Sequence, residues 1–173
     1  MDVGERARIY AAFADASRRL ASAMDAKAGF VFAVNGALLT FLWIGARMGD
    51  VSPLTQWVAM GASLCAMLAL LAALWVVVPR PSVDPARYTR GGARPVSYYA
   101  YVATRYAASD FAQFERDVGA FDDADFAREA LEAHFVVSRI VQAKSKWVAV
   151  AGVLTLAGMT LAGAALVTKL LHG

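Results

Sequence analysis

Three groups of polar residues in this sequence have types and spacings that could do chemistry. The first group, Asp25, Lys27 and Asn35, lies at the start of an apolar run. Such side chains are costly in hydrocarbon unless they face another helix or a polar lumen. The simpler interpretation is a hydrogen bond between helices, because a single amide in a membrane helix usually has this role. The sharper hypothesis is a polar gate that also includes Lys144.

A second group alternates basic and aromatic side chains between positions 88 and 106. Guanidinium groups pair with phosphate and tyrosine rings stack on bases. The predicted ligand-binding residues are Arg90, Arg94, Tyr98, Tyr101 and Arg105. The alternative is an interfacial belt, because Tyr also favours the lipid headgroup region. The third group, from Ser138 to Lys146, is explained by charges that fix topology.

Other motifs predict neither catalysis nor a metal site. The chain has no Gly-rich phosphate loop, no histidines at metal spacing and no nucleophile arrangement. Its one cysteine, Cys65, lies in an apolar run, which excludes an intramolecular disulfide. His134 is predicted to be a satisfied surface histidine, and the carboxylates at positions 122, 123 and 125 to cap a helix. We therefore expect a protein that is not an enzyme, has no cofactor and binds no nucleic acid polymer.

The elements that must position these residues are three apolar runs, at 29–46, 57–78 and 147–167, none of which contains a charged residue or histidine. Each is about long enough to cross roughly 30 Å of hydrocarbon. Hydrophobic residues make up 59% of the chain and charged residues only 18%, which is too apolar for an ordinary soluble domain. The sequence predicts an all-α membrane protein with three transmembrane helices.

The distribution of the 17 basic residues predicts one orientation. Five lie in 1–28 and ten in 79–146, whereas the connection between the first two runs and the C-terminal tail hold one each. Basic residues near span ends stay on the cytoplasmic side. The N-terminus and 79–146 are therefore expected on the cytoplasmic side of the membrane, and the C-terminus outside.

Four segments follow: a cytoplasmic helix at 1–28, a transmembrane hairpin at 29–78, a cytoplasmic helical region at 79–146, and the third span with its tail at 147–173. We expect the helix of the first segment to continue into the first span, with Ile9, Phe13 and Leu20 on one stripe. Helix should resume at Ser97 and break near 119–123. The next helix is expected to run unbroken into the third span, with Glu129 on its wet side. The first and third segments would form a cytoplasmic helical bundle.

Small residues recur at intervals of four in two of the runs. Gly29, Ala33 and Ala37 lie in the first, and Gly158 and Ala162 in the third. Small side chains let membrane helices approach closely. This spacing predicts close helix contacts and a homo-oligomer.

The string from Met24 to Phe30, followed by Ala33 to Leu39, resembles the first-span motif of the transmembrane effectors of Pycsar antiphage systems. Asp25, Lys27, Asn35 and Lys144 match motif positions. The resemblance implies a bacterial immune effector that responds to cyclic CMP or cyclic UMP from a companion pyrimidine nucleotide cyclase. It also implies that the response impairs the inner membrane and causes growth arrest or cell death. The competing hypothesis is a membrane scaffold that docks a soluble partner through the acidic stretch from Asp110 to Glu132.

Overall fold

The computed structural model describes residues 2–49, 51–78, 102 and 105–172. Helix α1 spans Val3–Thr40 and passes into a π-helical turn at Phe41–Gly45. Helix α2 spans Pro53–Val77, α3 spans Phe111–Gly119 and α4 spans Asp123–His172. The described residues contain no strand. The continuous helices expected from the N-terminus into the first span and from Asp123 into the third span are confirmed as α1 and α4.

Three of these helices, α1, α2 and α4, are long and apolar enough to cross a membrane. Large apolar side chains along them are exposed, among them Phe30 at 71% and Trp57 at 69%. Lipid makes such exposure favourable, whereas water would penalise it. Trp57 and Trp75 lie 18 positions apart on α2, which is about 27 Å of helix. This matches two interfacial tryptophan levels and confirms the predicted all-α membrane fold.

Residues Ala21–Val78 and Val141–Gly173 form one compact unit, called here the span unit. Its core is formed mainly by alanines of α2 and α4, packed with the larger buried side chains of Leu42, Met48 and Val76. The alanines include Ala59, Ala62, Ala66, Ala151 and Ala165. A Cβ atom built on Gly158 would lie 3.4 Å from the Ala62 carbonyl oxygen and from the Cys65 Cβ. Lipid provides no hydrophobic force between helices, so close van der Waals contact must hold them together. The expected close contact at Gly158 and Ala162 is present.

Residues Met1–Leu20 and Pro79–Ile140 form a second unit, called here the head unit. Among the described residues of this unit, the buried ones are Ala14 and Ser17 on α1, Ala127 and Glu129 on α4, and Tyr106. Tyr106 donates a hydrogen bond to Asp117 Oδ2 at 2.7 Å, and its ring meets Phe114 edge-on at 5.3 Å. These contacts hold α3 against the segment that precedes it.

Three details differ from the sequence expectation. The stripe of Ile9, Phe13 and Leu20 on α1 is not buried as a whole, because Phe13 and Leu20 are 48% and 52% exposed, and the buried residues of this part of α1 are Ala14 and Ser17. Glu129 is only 6% exposed, so its predicted wet position is wrong. The helix expected from Ser97 begins outside the described residues. Among the described residues, a tight turn before α3, in which Asp110 Oδ2 accepts a hydrogen bond from the Ala107 N–H, is a break that was not predicted.

The predicted break at 119–123 and its helix cap are confirmed. Asp122 Oδ1 accepts a hydrogen bond from the Asp125 N–H at 2.8 Å, and Asp125 Oδ2 accepts one from the Asp122 N–H at 3.3 Å. This reciprocal pair is a capping box, which satisfies N–H groups left free at the start of a helix. Two carboxylates of the acidic cluster therefore cap α4.

Candidate functional site

A buried polar pair joins α1 to α4 inside the span unit. Asn35 is fully buried and donates from Nδ2 to Thr155 Oγ1 at 2.8 Å and to the Val31 carbonyl oxygen at 2.8 Å. Thr155 in turn donates to the Ala151 carbonyl oxygen at 2.8 Å. Asn35 lies ten residues beyond Asp25, about 15 Å along the helix. That distance places the amide inside the first apolar run, away from the charged residues before it.

The other end of the same amide has no hydrogen bond. Asn35 Oδ1 is buried and has no partner among the described residues. Its orientation is set by the two acceptors, since both Val31 O and Thr155 Oγ1 require the amide nitrogen to face them. An unsatisfied buried acceptor costs about 1–3 kcal/mol. The unsatisfied Asn35 Oδ1 therefore lowers the stability of this packing of the spans.

Asp25 and Lys144 form an ion pair in the same unit. Lys144 Nζ lies 2.5 Å from Asp25 Oδ1, with 21% of the lysine side chain and 41% of the aspartate side chain exposed. Lys27 is exposed and pairs with no described residue. Of the four residues predicted for a gate, the structure pairs Asp25 with Lys144. Asn35 bonds to Thr155 instead, and Lys27 contacts neither of these pairs.

A second lysine of α4 contacts α1's C-terminal extension. Lys169 Nζ donates to the Ala46 carbonyl oxygen at 2.5 Å, next to the π-helical turn. Carbonyl groups at a helix C-terminus carry partial negative charge and attract cations. Lys144 and Lys169 therefore fasten the third span at two points, 25 residues apart in α4. Thr155 and Lys169 were not among the predicted site residues, because their partners lie more than a hundred positions away in the chain.

The head unit contains a groove of about 360 Å³ between α1 and α4. Half of its ten lining residues are alanines, and the others are larger polar or aromatic residues. The alanines are Ala7, Ala11, Ala14, Ala130 and Ala133, and the other lining residues are Arg8, Asp15, Arg18, Phe126 and Glu129.

The charged residues of this groove differ in their surroundings. Arg18 lies 3.1 Å from Asp15, and both side chains are more than half exposed. Arg8 is exposed and forms no ion pair with a described residue. Glu129 is almost fully buried. Among the described residues, the groove therefore offers a guanidinium group without an ion pair and a buried carboxylate, together with five alanines.

His134 is not free in the head unit. Its Nδ1 lies 2.9 Å from Ser17 Oγ and 3.2 Å from the Phe13 carbonyl oxygen, and its ring lies 5.6 Å from the Phe13 ring. These contacts join α1 to α4. The predicted role of a satisfied histidine is confirmed.

Most of the predicted ligand-binding residues cannot be placed. Arg90, Arg94, Tyr98 and Tyr101 lie outside the described residues. Arg105 is described and exposed, directly before the turn that leads to α3. The predicted nucleotide site in this segment stays a prediction.

The family model for the Pycsar effector protein domain matches residues 8–169, nearly the whole chain. The chain belongs to this family. No curated protein and no solved structure matches it. Membership makes the chain an antiphage-defence effector that is embedded in a membrane, and the family is one of effectors and not a known catalytic family.

The matched region covers the polar contacts of the span unit and every groove residue except Ala7. It runs from residue 8 to residue 169, so Asn35, Thr155 and the Asp25–Lys144 pair lie within it. The described residues of the effector thus contain a groove in the head unit and a buried polar pair in the span unit.

Proposed function

We propose that this effector is activated by a cyclic pyrimidine mononucleotide, cyclic CMP or cyclic UMP, and then impairs the integrity of the bacterial inner membrane. The nucleotide comes from a companion pyrimidine nucleotide cyclase, so the two proteins communicate through a diffusible product. The N-terminus and residues 79–146 face the cytoplasm, where that product accumulates, and the C-terminus faces outward. The outcome is growth arrest or cell death.

One observation carries the membrane part of this proposal: the unsatisfied Oδ1 of Asn35 inside the span unit. A packing that leaves a buried acceptor without a partner is less stable than one that satisfies it. A second arrangement, in which Asn35 meets water or a polar group of another copy, gains that free energy back. A ligand that favours the second arrangement needs only a modest difference in affinity to shift the population.

Surface features of α1 support a homo-oligomer. Gly29, Ala33 and Ala37 are exposed on one side of the helix, and a Cβ atom on Gly29 would meet nothing within 4 Å. A free face of small residues suits close contact with a second membrane helix. We propose that copies of the effector meet on this face. Asn35 and Lys27 would act at a separate gate, which opens when the packing of α1 against α4 changes.

The scaffold alternative draws less support from the acidic stretch between Asp110 and Glu132. Asp110 and Asp122 cap helices or turns, Asp117 accepts the hydrogen bond of Tyr106, and Glu132 pairs with Arg128 at 3.4 Å. Carboxylates engaged within the chain are poor anchors for a partner. The effector proposal is therefore preferred.

The test is membrane potential in cells that express the full chain, recorded with a voltage-sensitive dye while cyclic CMP or cyclic UMP is produced by an inducible cyclase. Wild type should depolarise the cells only when the cyclase is active. Asn35→Leu should reduce this response, and Val34→Leu, the neighbouring control that adds similar bulk, should preserve it. Unchanged depolarisation with Asn35→Leu contradicts the gate, and no depolarisation of wild-type cells contradicts the function.

A further inference from the structure

The groove of the head unit has the shape and chemistry of a small-ligand site. Its volume of about 360 Å³ falls within the range of pockets that hold small molecules. Five of its lining residues are alanines, whose short side chains leave room for a ring, and Phe126 adds an aromatic side chain to the lining. A planar base can lie in such a groove and stack on the Phe126 ring, because every base has a π-face that stacks on aromatic side chains.

Arg8 provides the anion contact. Arg18, the other arginine of the groove, already lies against Asp15, whereas Arg8 forms no ion pair with a described residue. A guanidinium group binds phosphate with two parallel hydrogen bonds, and these are stronger than neutral ones. One negative charge, as on a cyclic phosphodiester, matches one available arginine.

Glu129 provides a means of choosing the base. It is 6% exposed, so it meets a bound ligand in a partly desolvated place. An ionised carboxylate only accepts hydrogen bonds, and it has two oxygens, so it can accept from a ligand in addition to any contact within the chain. The exocyclic amine of cytosine donates, as in carboxylate recognition of cytosine in nucleic acids. Uracil carries a carbonyl oxygen at the same position, which a carboxylate repels.

We infer that this groove is the nucleotide site of the effector, with Arg8 on the phosphate and Glu129 on the cytosine amine, and that it selects cyclic CMP over cyclic UMP. The inference rests on the proposed function, because it assumes that a cyclic pyrimidine nucleotide is the signal. It adds the location of the site and the choice of base.

The test is calorimetric titration of the full-length protein in lipid nanodiscs with cyclic CMP and with cyclic UMP. Wild type should bind cyclic CMP about tenfold more tightly or better, as expected for one good base contact. Arg8→Gln should weaken both nucleotides by about tenfold. Arg19→Gln removes the same charge at an exposed position outside the groove and should change neither affinity.

Glu129→Gln should reduce the ratio of the two affinities to about one, because an amide can donate to uracil as well as accept from cytosine. Because Glu129 is buried, its substitution could also disturb folding, so a second variant tests the groove at an exposed position. Ala11→Leu fills the groove and should abolish binding, while Ala12→Leu, exposed and outside the groove, should bind like wild type. Helix content by circular dichroism confirms that each variant is folded.

Equal affinity of wild type for the two nucleotides overturns the choice of base. Binding that survives Ala11→Leu but is lost in Arg90→Gln or Arg94→Gln overturns the groove in favour of the segment before α3. The membrane readout separates this failure from that of the proposed function. If nucleotide still depolarises cells that carry Ala11→Leu, the function stands and the groove is wrong. If wild type neither binds nucleotide nor depolarises cells, both are wrong.

Discussion

The head unit and the span unit both pack helices through alanine, with opposite results. In the span unit, α2 and α4 approach so closely that Gly158 lies against the Ala62 carbonyl oxygen. In the head unit, the alanines of α1 and α4 line an open groove. Small residues permit a close approach but do not enforce it, because their short side chains contribute little contact area of their own.

The buried polar groups of the two units also reflect close packing in the span unit and open space in the head unit. The span unit buries an amide with an unsatisfied oxygen, where lipid offers no water to compensate. In the head unit, a buried carboxylate lines a groove. The span unit is therefore the place where a packed state is strained, and the head unit is the place with room for a ligand.

The strongest test of this comparison is Gly158→Leu. We expect a loss of about 1–3 kcal/mol of stability, because the new side chain has no space against α2. Thermal unfolding in detergent, followed by circular dichroism, measures it. Gly163→Leu is the control on the same helix, since a Cβ there meets nothing within 4 Å. Equal losses for both variants would contradict close packing at Gly158.

Thr155→Val tests the buried pair. It removes the acceptor of Asn35 Nδ2 and should lower the free energy of unfolding by about 1 kcal/mol. The double variant Asn35→Leu with Thr155→Val should recover most of this loss, because it removes both polar groups. Unfolding of the four proteins of this cycle gives the coupling energy. Purely additive effects would mean that the hydrogen bond contributes nothing.

Lys144→Met tests the ion pair with Asp25. Both side chains are partly exposed, so we expect a loss below about 1 kcal/mol. The effect should shrink as salt rises, since exposed pairs are screened. Unfolding at low and high salt measures this, with the exposed Lys146→Met as control. A loss that is independent of salt would indicate packing and not charge.

Ala11→Leu should have the smallest effect on stability, within about 0.5 kcal/mol, because the added side chain enters open space. The same thermal unfolding experiment compares it with Gly158→Leu. A loss as large as that of Gly158→Leu would mean that the head unit is as closely packed as the span unit, and the contrast between them would disappear.

The sequence predicts the elements better than their contacts. The spans, the continuous helices α1 and α4 and the cap at Asp122 follow from local composition and spacing. The partner of Asn35 does not, because it lies 120 positions away and depends on how α1 and α4 are rotated. The same holds for Ser17 with His134 and for Asp25 with Lys144.

The errors have a common physical source. Sequence periodicity assigned Phe13 and Leu20 to the packed side of α1 and Glu129 to the wet side of α4. In the structure, both apolar residues are about half exposed and the glutamate is buried. Periodicity assumes that the largest apolar residues are buried, and this assumption fails where helices meet through alanine. The groove could not be found from sequence for the same reason.

We propose that nucleotide binding converts the effector from a silent packing of the spans to a leaky one. The decisive experiment measures ion flux from liposomes that contain only the purified full-length protein. We expect flux when cyclic CMP or cyclic UMP is added on the side of the N-terminus, and none before. Flux of equal size without nucleotide, or no flux at saturating concentrations of both nucleotides, would contradict it.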